Sequence, residues 1–146
     1  MHELRTTVDI QASPNQVWAI LTDFATYPEW NPFIRAVRGE PIAGRSLNVS
    51  VVSGAAKRTR SYWPRVLSSE APRELRWQQR MMFGGLLEGE HRFKLVQRSD
   101  GSTRLVHSEC FTGLLVPLLR DRIEREARPG FEAMNEALRL RAEAMR

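Results

Sequence analysis

The chain has 146 residues, a formal net charge of +5 and one cysteine, Cys110. That length suits a single domain, residues 1–146, and folding should bury about 70% of the unfolded chain's surface, so neither disulfides nor metals are needed as staples. One thiol excludes disulfide scaffolds and zinc fingers, no stretch approaches the ~18 apolar residues of a membrane helix, and the interleaved signs of Arg120-Asp121-Arg122-Ile123-Glu124-Arg125-Glu126 read as a solvated helix face, not a nucleic-acid stripe.

Leu4, Thr6, Val8 and Ile10 alternate with Arg5, Thr7, Asp9 and Gln11, the period of a strand with one buried face. Charges within that pattern leave no export signal in view, and the expected location is the cytoplasm. Ser13-Pro14-Asn15-Gln16 has the residues of a capping box with proline at the first helical position, so a helix starts there. Val17, Trp18, Ile20, Leu21 and Phe24 form its apolar face. The prolines of Thr26-Tyr27-Pro28-Glu29-Trp30-Asn31-Pro32 then allow only a second, short helical turn.

Turn signals at Gly39 to Gly44, Ser53 to Ala56, Ala71 to Glu74, Gly84-Gly85 and Ser99 to Ser102 divide the next stretch into six strands. Their expected spans are 34–39, 46–53, 60–70, 74–83, 87–98 and 103–113. Connections this short make the sheet antiparallel, and with the first strand it has seven members. Lys57-Arg58-Thr59-Arg60 would form a small basic loop. After Pro117, Leu119, Ile123, Ala127, Phe131, Met134, Leu138, Ala142 and Met145 recur every three or four residues, which predicts one long amphipathic helix. Asp121 with Arg125 and Glu124 with Arg128 are spaced to pair on its wet side, and Pro129-Gly130 predicts a kink or short break.

The resulting α+β order is one strand, two short helices, an antiparallel meander and a long C-terminal helix, which resembles the helix-grip fold. In sequence the chain resembles the START-like, or SRPBCC, superfamily, within it the polyketide cyclase/dehydrase-like branch. The resemblance spans the chain and rests on Ile10-Gln11-Ala12-Ser13-Pro14 with Val17-Trp18, on Phe24 with Tyr27-Pro28-Glu29-Trp30-Asn31-Pro32-Phe33, and on Glu74-Leu75-Arg76-Trp77. It continues through Gly89-Glu90-His91-Arg92-Phe93, Thr103-Arg104-Leu105-Val106-His107-Ser108-Glu109-Cys110-Phe111 with Gly113, and Gly130-Phe131-Glu132-Ala133-Met134-Asn135. It implies a ligand-holding fold whose members bind lipids, hormones or polyketides, some catalysing cyclisation or dehydration and others only holding a ligand.

A curved sheet cannot pack flat against one long helix, so a cavity is left wherever bulky side chains do not fill the gap. By parity Leu75, Trp77, Gln79 and Met81 face inward from one strand, His91, Phe93 and Leu95 from the next, and Leu105, His107, Glu109 and Phe111 from the last. Phe131 and Met134 would face them from the helix, with Trp30 and Phe33 near the entrance. The expected ligand-binding residues are therefore Trp30, Phe33, Trp77, Met81, Phe93, Leu105, Phe111, Phe131 and Met134. The alternative for each aromatic is plain core packing.

Ser99-Asp100-Gly101 suits a three-residue hairpin loop with Gly101 left-handed, so facing residue numbers sum to 200. His91 then stands opposite Glu109 and Phe93 opposite His107, with His107 diagonal to the pair. Desolvated groups of this kind need partners. His91, His107 and Glu109 could bond the polar end of a ligand, act as a proton-transfer cluster, or supply the ligand set of a facial metal triad. The resemblance implies no iron, and neither a metal nor another cofactor is expected. No phosphate loop or nucleophile motif is present, Cys110 has the opposite parity, and His2 is expected at a frayed terminus. The reading reached is a binder of a small, largely hydrophobic molecule, with a polyketide cyclase/dehydratase-type enzyme and an interaction module with a filled cavity as alternatives. A homodimer is compatible with it.

Overall fold

A computed structural model describes residues 1–82 and 85–145. Phe83 and Gly84, where the predicted strand end and the start of the Gly84-Gly85 turn fall, lie outside the described residues. The first strand is β1 (His2–Ile10), followed by α1 (Pro14–Thr22), a 3-10 turn (Phe24–Thr26) and α2 (Tyr27–Trp30). The capping box forms as expected: the Gln16 amide donates to Ser13 Oγ at 3.3 Å and the Ser13 amide to Gln16 Oε1 at 2.9 Å, a motif worth about 1 kcal/mol.

The strands that follow are β2 (Ile34–Arg38), β3 (Asn48–Ser53), β4 (Arg58–Tyr62), β5 (Arg65–Glu70), β6 (Glu74–Met82), β7 (Leu87–Gln97) and β8 (Thr103–Thr112). All pairings are antiparallel, in the orders β1-β8-β7-β6-β5 and β2-β3-β4. The described residues thus hold eight strands where seven were expected, because the predicted strand 60–70 is split at Trp63-Pro64. Proline has no amide to give a ladder, so the chain turns there. The two sheets remain stitched at that corner. Leu47 donates to the Pro64 carbonyl at 2.8 Å, Val66 and Arg45 bond at 2.8 Å, and Ser46 bridges Arg65. The result is one strongly bent surface.

The long helix α3 (Val116–Met145) lies against this surface. It runs unbroken through Pro129, so the short break does not occur. Gly130 serves a close approach instead. A Cβ there would stand 2.2 Å from Cδ1 of Phe33, whose ring also lies 5.3 Å from that of Phe131. Gly130→Ala should therefore lose more to overpacking than the ~1 kcal/mol it gains in helix propensity, for a net loss of about 1–2 kcal/mol. A raised urea midpoint would contradict this.

Glu124 pairs with Arg128 at 2.7 Å, as its spacing predicts. His2 is not frayed: it belongs to β1, and its Nε2 lies 2.9 Å from Glu124 Oε1 on α3. Leu4, Val17, Leu21, Leu75, Phe93, Leu105, Phe131 and Leu138 are wholly buried between helices and sheet. Each such side chain contributes about 1.5–3 kcal/mol, which makes this layer the main source of stability. No described helix is long and apolar enough to cross a membrane.

Candidate functional site

Alternation along β6, β7 and β8 sends every second side chain beneath α3, and the hairpin after Gln97 sets their register. Gly101 has φ +86°, the left-handed conformation the loop requires, and His91 faces Glu109, Phe93 faces His107 and Leu95 faces Leu105. The pairing sum of 200 holds along the whole hairpin.

A cavity of about 340 Å³ lies between the bent sheet and the N-terminal half of α3. Its floor is Trp77, Gln79 and Met81 of β6, His91 of β7, and Glu109 and Phe111 of β8. Leu119, Ile123, Ala127 and Phe131 of α3 roof it, and Phe33 closes one side. The far wall, Val49 and Val51 of β3 with Arg60 and Tyr62 of β4, was not foreseen, although Val49/Val51 and Arg60/Tyr62 carry the same alternation that marked the floor. Exposed Arg60 and Arg122, with Glu126 3.3 Å from Arg122, mark the solvent side.

Of the expected lining residues, Phe33, Trp77, Met81, Phe111 and Phe131 border the cavity, as do His91 and Glu109. Trp30, Phe93, Leu105, Met134 and His107 do not. Phe93, Leu105, Met134 and His107 are packed core, each at most 1% exposed. Trp30 packs on Tyr27, ring centroids 5.1 Å apart, at the other end of the short helices. Strand parity places a side chain on a face of the sheet but does not say how far along it the gap extends.

The polar groups form a chain running inward from the cavity. Glu109 Oε2 accepts from Gln79 Nε2 at 3.3 Å, and its Oε1 lies 3.4 Å from His91 Nδ1. His91 Nε2 lies 2.7 Å from His107 Nε2, and His107 Nδ1 lies 2.8 Å from Asn135 Oδ1. Asn135 Nδ2 donates to Thr6 Oγ1 at 2.8 Å, which donates to the His107 carbonyl at 2.9 Å. Gly89 makes room for this chain: a Cβ there would sit 2.2 Å from Glu109 Oε2, so the carboxylate occupies the space a side chain would take. Asn135, known beforehand only as part of a family-like motif, is the group sequence reasoning missed.

Burial pushes the His107 imidazole well below its ordinary pKa, helped by the neighbouring His91 ring and opposed by bonds to Asn135 and the Phe131 main chain. Its ring also stacks on Phe131, with centroids 4.1 Å apart and planes 9° from parallel. Tyr62 is raised, chiefly by burial, against the lowering effect of the Arg60 guanidinium. The two Nε2 atoms face each other instead of a common point, and among the described residues no three His, Cys, Asp or Glu stand where they could hold a metal ion. Cys110 sits half-buried with its thiol pushed up, first by burial.

A family model described as polyketide cyclase / dehydrase and lipid transport matches residues 1–143. No curated protein sequence matches the chain. Among solved structures, a START superfamily protein from Mycobacterium smegmatis superposes with a TM-score of 0.73 at 22% identity, covering 100% of both chains. The Zhui aromatase/cyclase from Streptomyces sp. R1128 gives 0.76 at 18% identity over 97% of this chain and 93% of that one. The di-domain ARO/CYC BexL from the BE-7585A biosynthetic pathway gives 0.77 at 14% identity, with 97% of this chain matching 50% of that one. Likenesses at these identities establish the fold, and the functional roles of individual residues are a separate question.

Proposed function

Given that the chain belongs to the polyketide cyclase/dehydrase and lipid transport family, we propose that it binds a small, largely hydrophobic molecule in the cavity beneath α3. The observation that carries this is the cavity itself. Its roof is mostly apolar, while Gln79, His91 and Glu109 converge on its floor among Trp77, Met81 and Phe111, the pattern of a site that holds a greasy body and orients one polar end. A volume of about 340 Å³ in a wall of Trp, Phe, Met and Leu also counts against an interaction module with a filled interior, since interiors normally close-pack. In this reading Phe33, Trp77, Met81, Phe111 and Phe131 contact the ligand's apolar part. Phe93 supports Trp77 and His91 from behind, its ring 5.5 Å and 4.8 Å from theirs.

Ala127 roofs the cavity, so an indole in its place would occupy the ligand's space. Wild-type protein should enhance the fluorescence of N-phenyl-1-naphthylamine, a small neutral apolar probe, and Ala127→Trp should weaken that binding at least tenfold while leaving far-ultraviolet circular dichroism unchanged. Equal binding by the two proteins would place the probe outside the cavity and remove the reading's support.

A further inference from the structure

Thr6 has one hydroxyl proton, which goes to the His107 carbonyl, so its oxygen accepts from Asn135 Nδ2. That orients the Asn135 amide and leaves Oδ1, which carries no proton, 2.8 Å from His107 Nδ1. His107, neutral in its buried place, therefore keeps its proton on Nδ1 and a lone pair on Nε2. His91 Nε2, 2.7 Å away, must be the donor between the two rings. The last position in the chain follows. His91 Nδ1 turns a lone pair toward Glu109 Oε1, 3.4 Å away and too far for an N–H···O bond of ordinary length.

Glu109 is short of donors as well. Among the described residues it accepts one hydrogen bond, from Gln79 Nε2 to Oε2 at 3.3 Å, and it pairs with no lysine or arginine. The His91 and Glu109 side chains are only 5% and 6% exposed, so water compensates neither. Two acceptors, one of them anionic, thus border the cavity side by side with no donor between them, an arrangement burial strongly disfavours. The rings of Trp77, Phe111 and Phe131 line the same space, and the face of an aromatic ring attracts a cation.

We propose that the molecule in the cavity is a hydrophobic amine, bound as its ammonium with N–H groups directed at Glu109 Oε1 and His91 Nδ1 and its apolar body against the rings of Trp77, Phe111 and Phe131. This rests on the binding role proposed above and adds the chemical class of the ligand's polar end. A carboxylate or phosphate there would meet the Glu109 charge. A hydroxyl would bring one proton to two acceptors and leave that charge uncompensated, whereas an ammonium brings several N–H donors and the counter-charge together. Arg60 and Arg122 do not take this role. Both are exposed on the solvent side, and Arg122 is engaged by Glu126 at 3.3 Å. His107 and Asn135 act as positioning residues, since the tautomers they fix keep the His91 proton on Nε2 and leave Nδ1 open to the ligand.

The test is displacement of N-phenyl-1-naphthylamine from the full chain at neutral pH by three naphthalenes of similar size: 2-(2-naphthyl)ethylamine, 2-(2-naphthyl)ethanol and 2-naphthylacetate. With wild type the amine should displace the probe at about one-tenth the concentration of either competitor, or less. With Glu109→Gln, which keeps the shape and removes the charge, amine and alcohol should come within about threefold of each other, a ratio read inside each protein. In wild type with 15N-labelled histidine and the amine bound, His91 should carry a proton on Nε2 and none on Nδ1. Equal displacement by amine and alcohol in wild type overturns the ammonium assignment, with or without the variant. So does an amine preference that survives Glu109→Gln, or a doubly protonated His91 in the complex, and each of these leaves the binding reading standing. A wild-type protein that takes up neither the probe nor the amine overturns both.

Discussion

Replacing Phe131 by alanine is expected to lower the free energy of unfolding by about 3–5 kcal/mol, a large share of the 5–15 kcal/mol typical of a domain this size. The ring is wholly buried and serves three neighbours at once. It stacks on His107 at 4.1 Å, lies 5.1 Å from His91 and packs 5.3 Å from Phe33. Its loss removes apolar contact and also joins its volume to the existing cavity, so the surroundings cannot collapse to fill it. Water would then reach the imidazole chain. Phe131→Leu, which keeps most of the volume, should cost about 1–1.5 kcal/mol. Urea denaturation at neutral pH checks both. A loss below about 1 kcal/mol for alanine would mean that this part of the helix is not held by the ring.

Acid should destabilise the protein earlier than its carboxylates alone would require. His107 is neutral and buried when folded, with its pKa lowered by desolvation and by His91, whereas in the unfolded chain it titrates near the ordinary value of 6.5. The unfolded state therefore binds more protons as pH drops below that value, and stability present above pH 6.5 is lost on the way down. One such group changes stability by at most about 1.4 kcal/mol per pH unit below the unfolded value. Asp9, held low chiefly by its bond to Arg104, and Glu124, held low chiefly by Arg128, lose their contributions only at lower pH, so they leave this window clear. His107→Phe should cost stability at neutral pH, because His91 Nε2 loses its acceptor, and should flatten the slope between pH 6.5 and 5. A flat wild-type profile over that range would show that His107 is charged in the folded protein.

Much of the fold was legible because its signals are local. The alternation of Leu4, Thr6, Val8 and Ile10, the capping box at Ser13 and the left-handed Gly101 each involve a few neighbouring residues whose conformation depends little on what lies far away. The His91–Glu109 pairing followed from that same loop, since a turn type sets the register of an antiparallel hairpin. Pro64 and Pro129 show the limit. Proline ends a ladder at an edge, as at 64, but within a helix its cost is absorbed where tertiary packing supports both sides, as at 129.

Composition, periodicity and turn chemistry by themselves determined an α+β chain with a meander, a capped first helix, a long amphipathic last helix, and a histidine–glutamate pair on the face beneath it. Only the tertiary structure decided where that helix touches the sheet and where it stands clear. That distinction separates Trp77 and Phe111, which border the cavity, from Phe93 and Leu105, which share their parity and are solid core. It also brought Asn135 and Thr6, 129 residues apart in the chain, within 2.8 Å and so oriented the His107 ring. The reason is geometric: side-chain alternation follows from the backbone of one strand, whereas the gap between two layers depends on the bend of the whole sheet and the line taken by the helix across it.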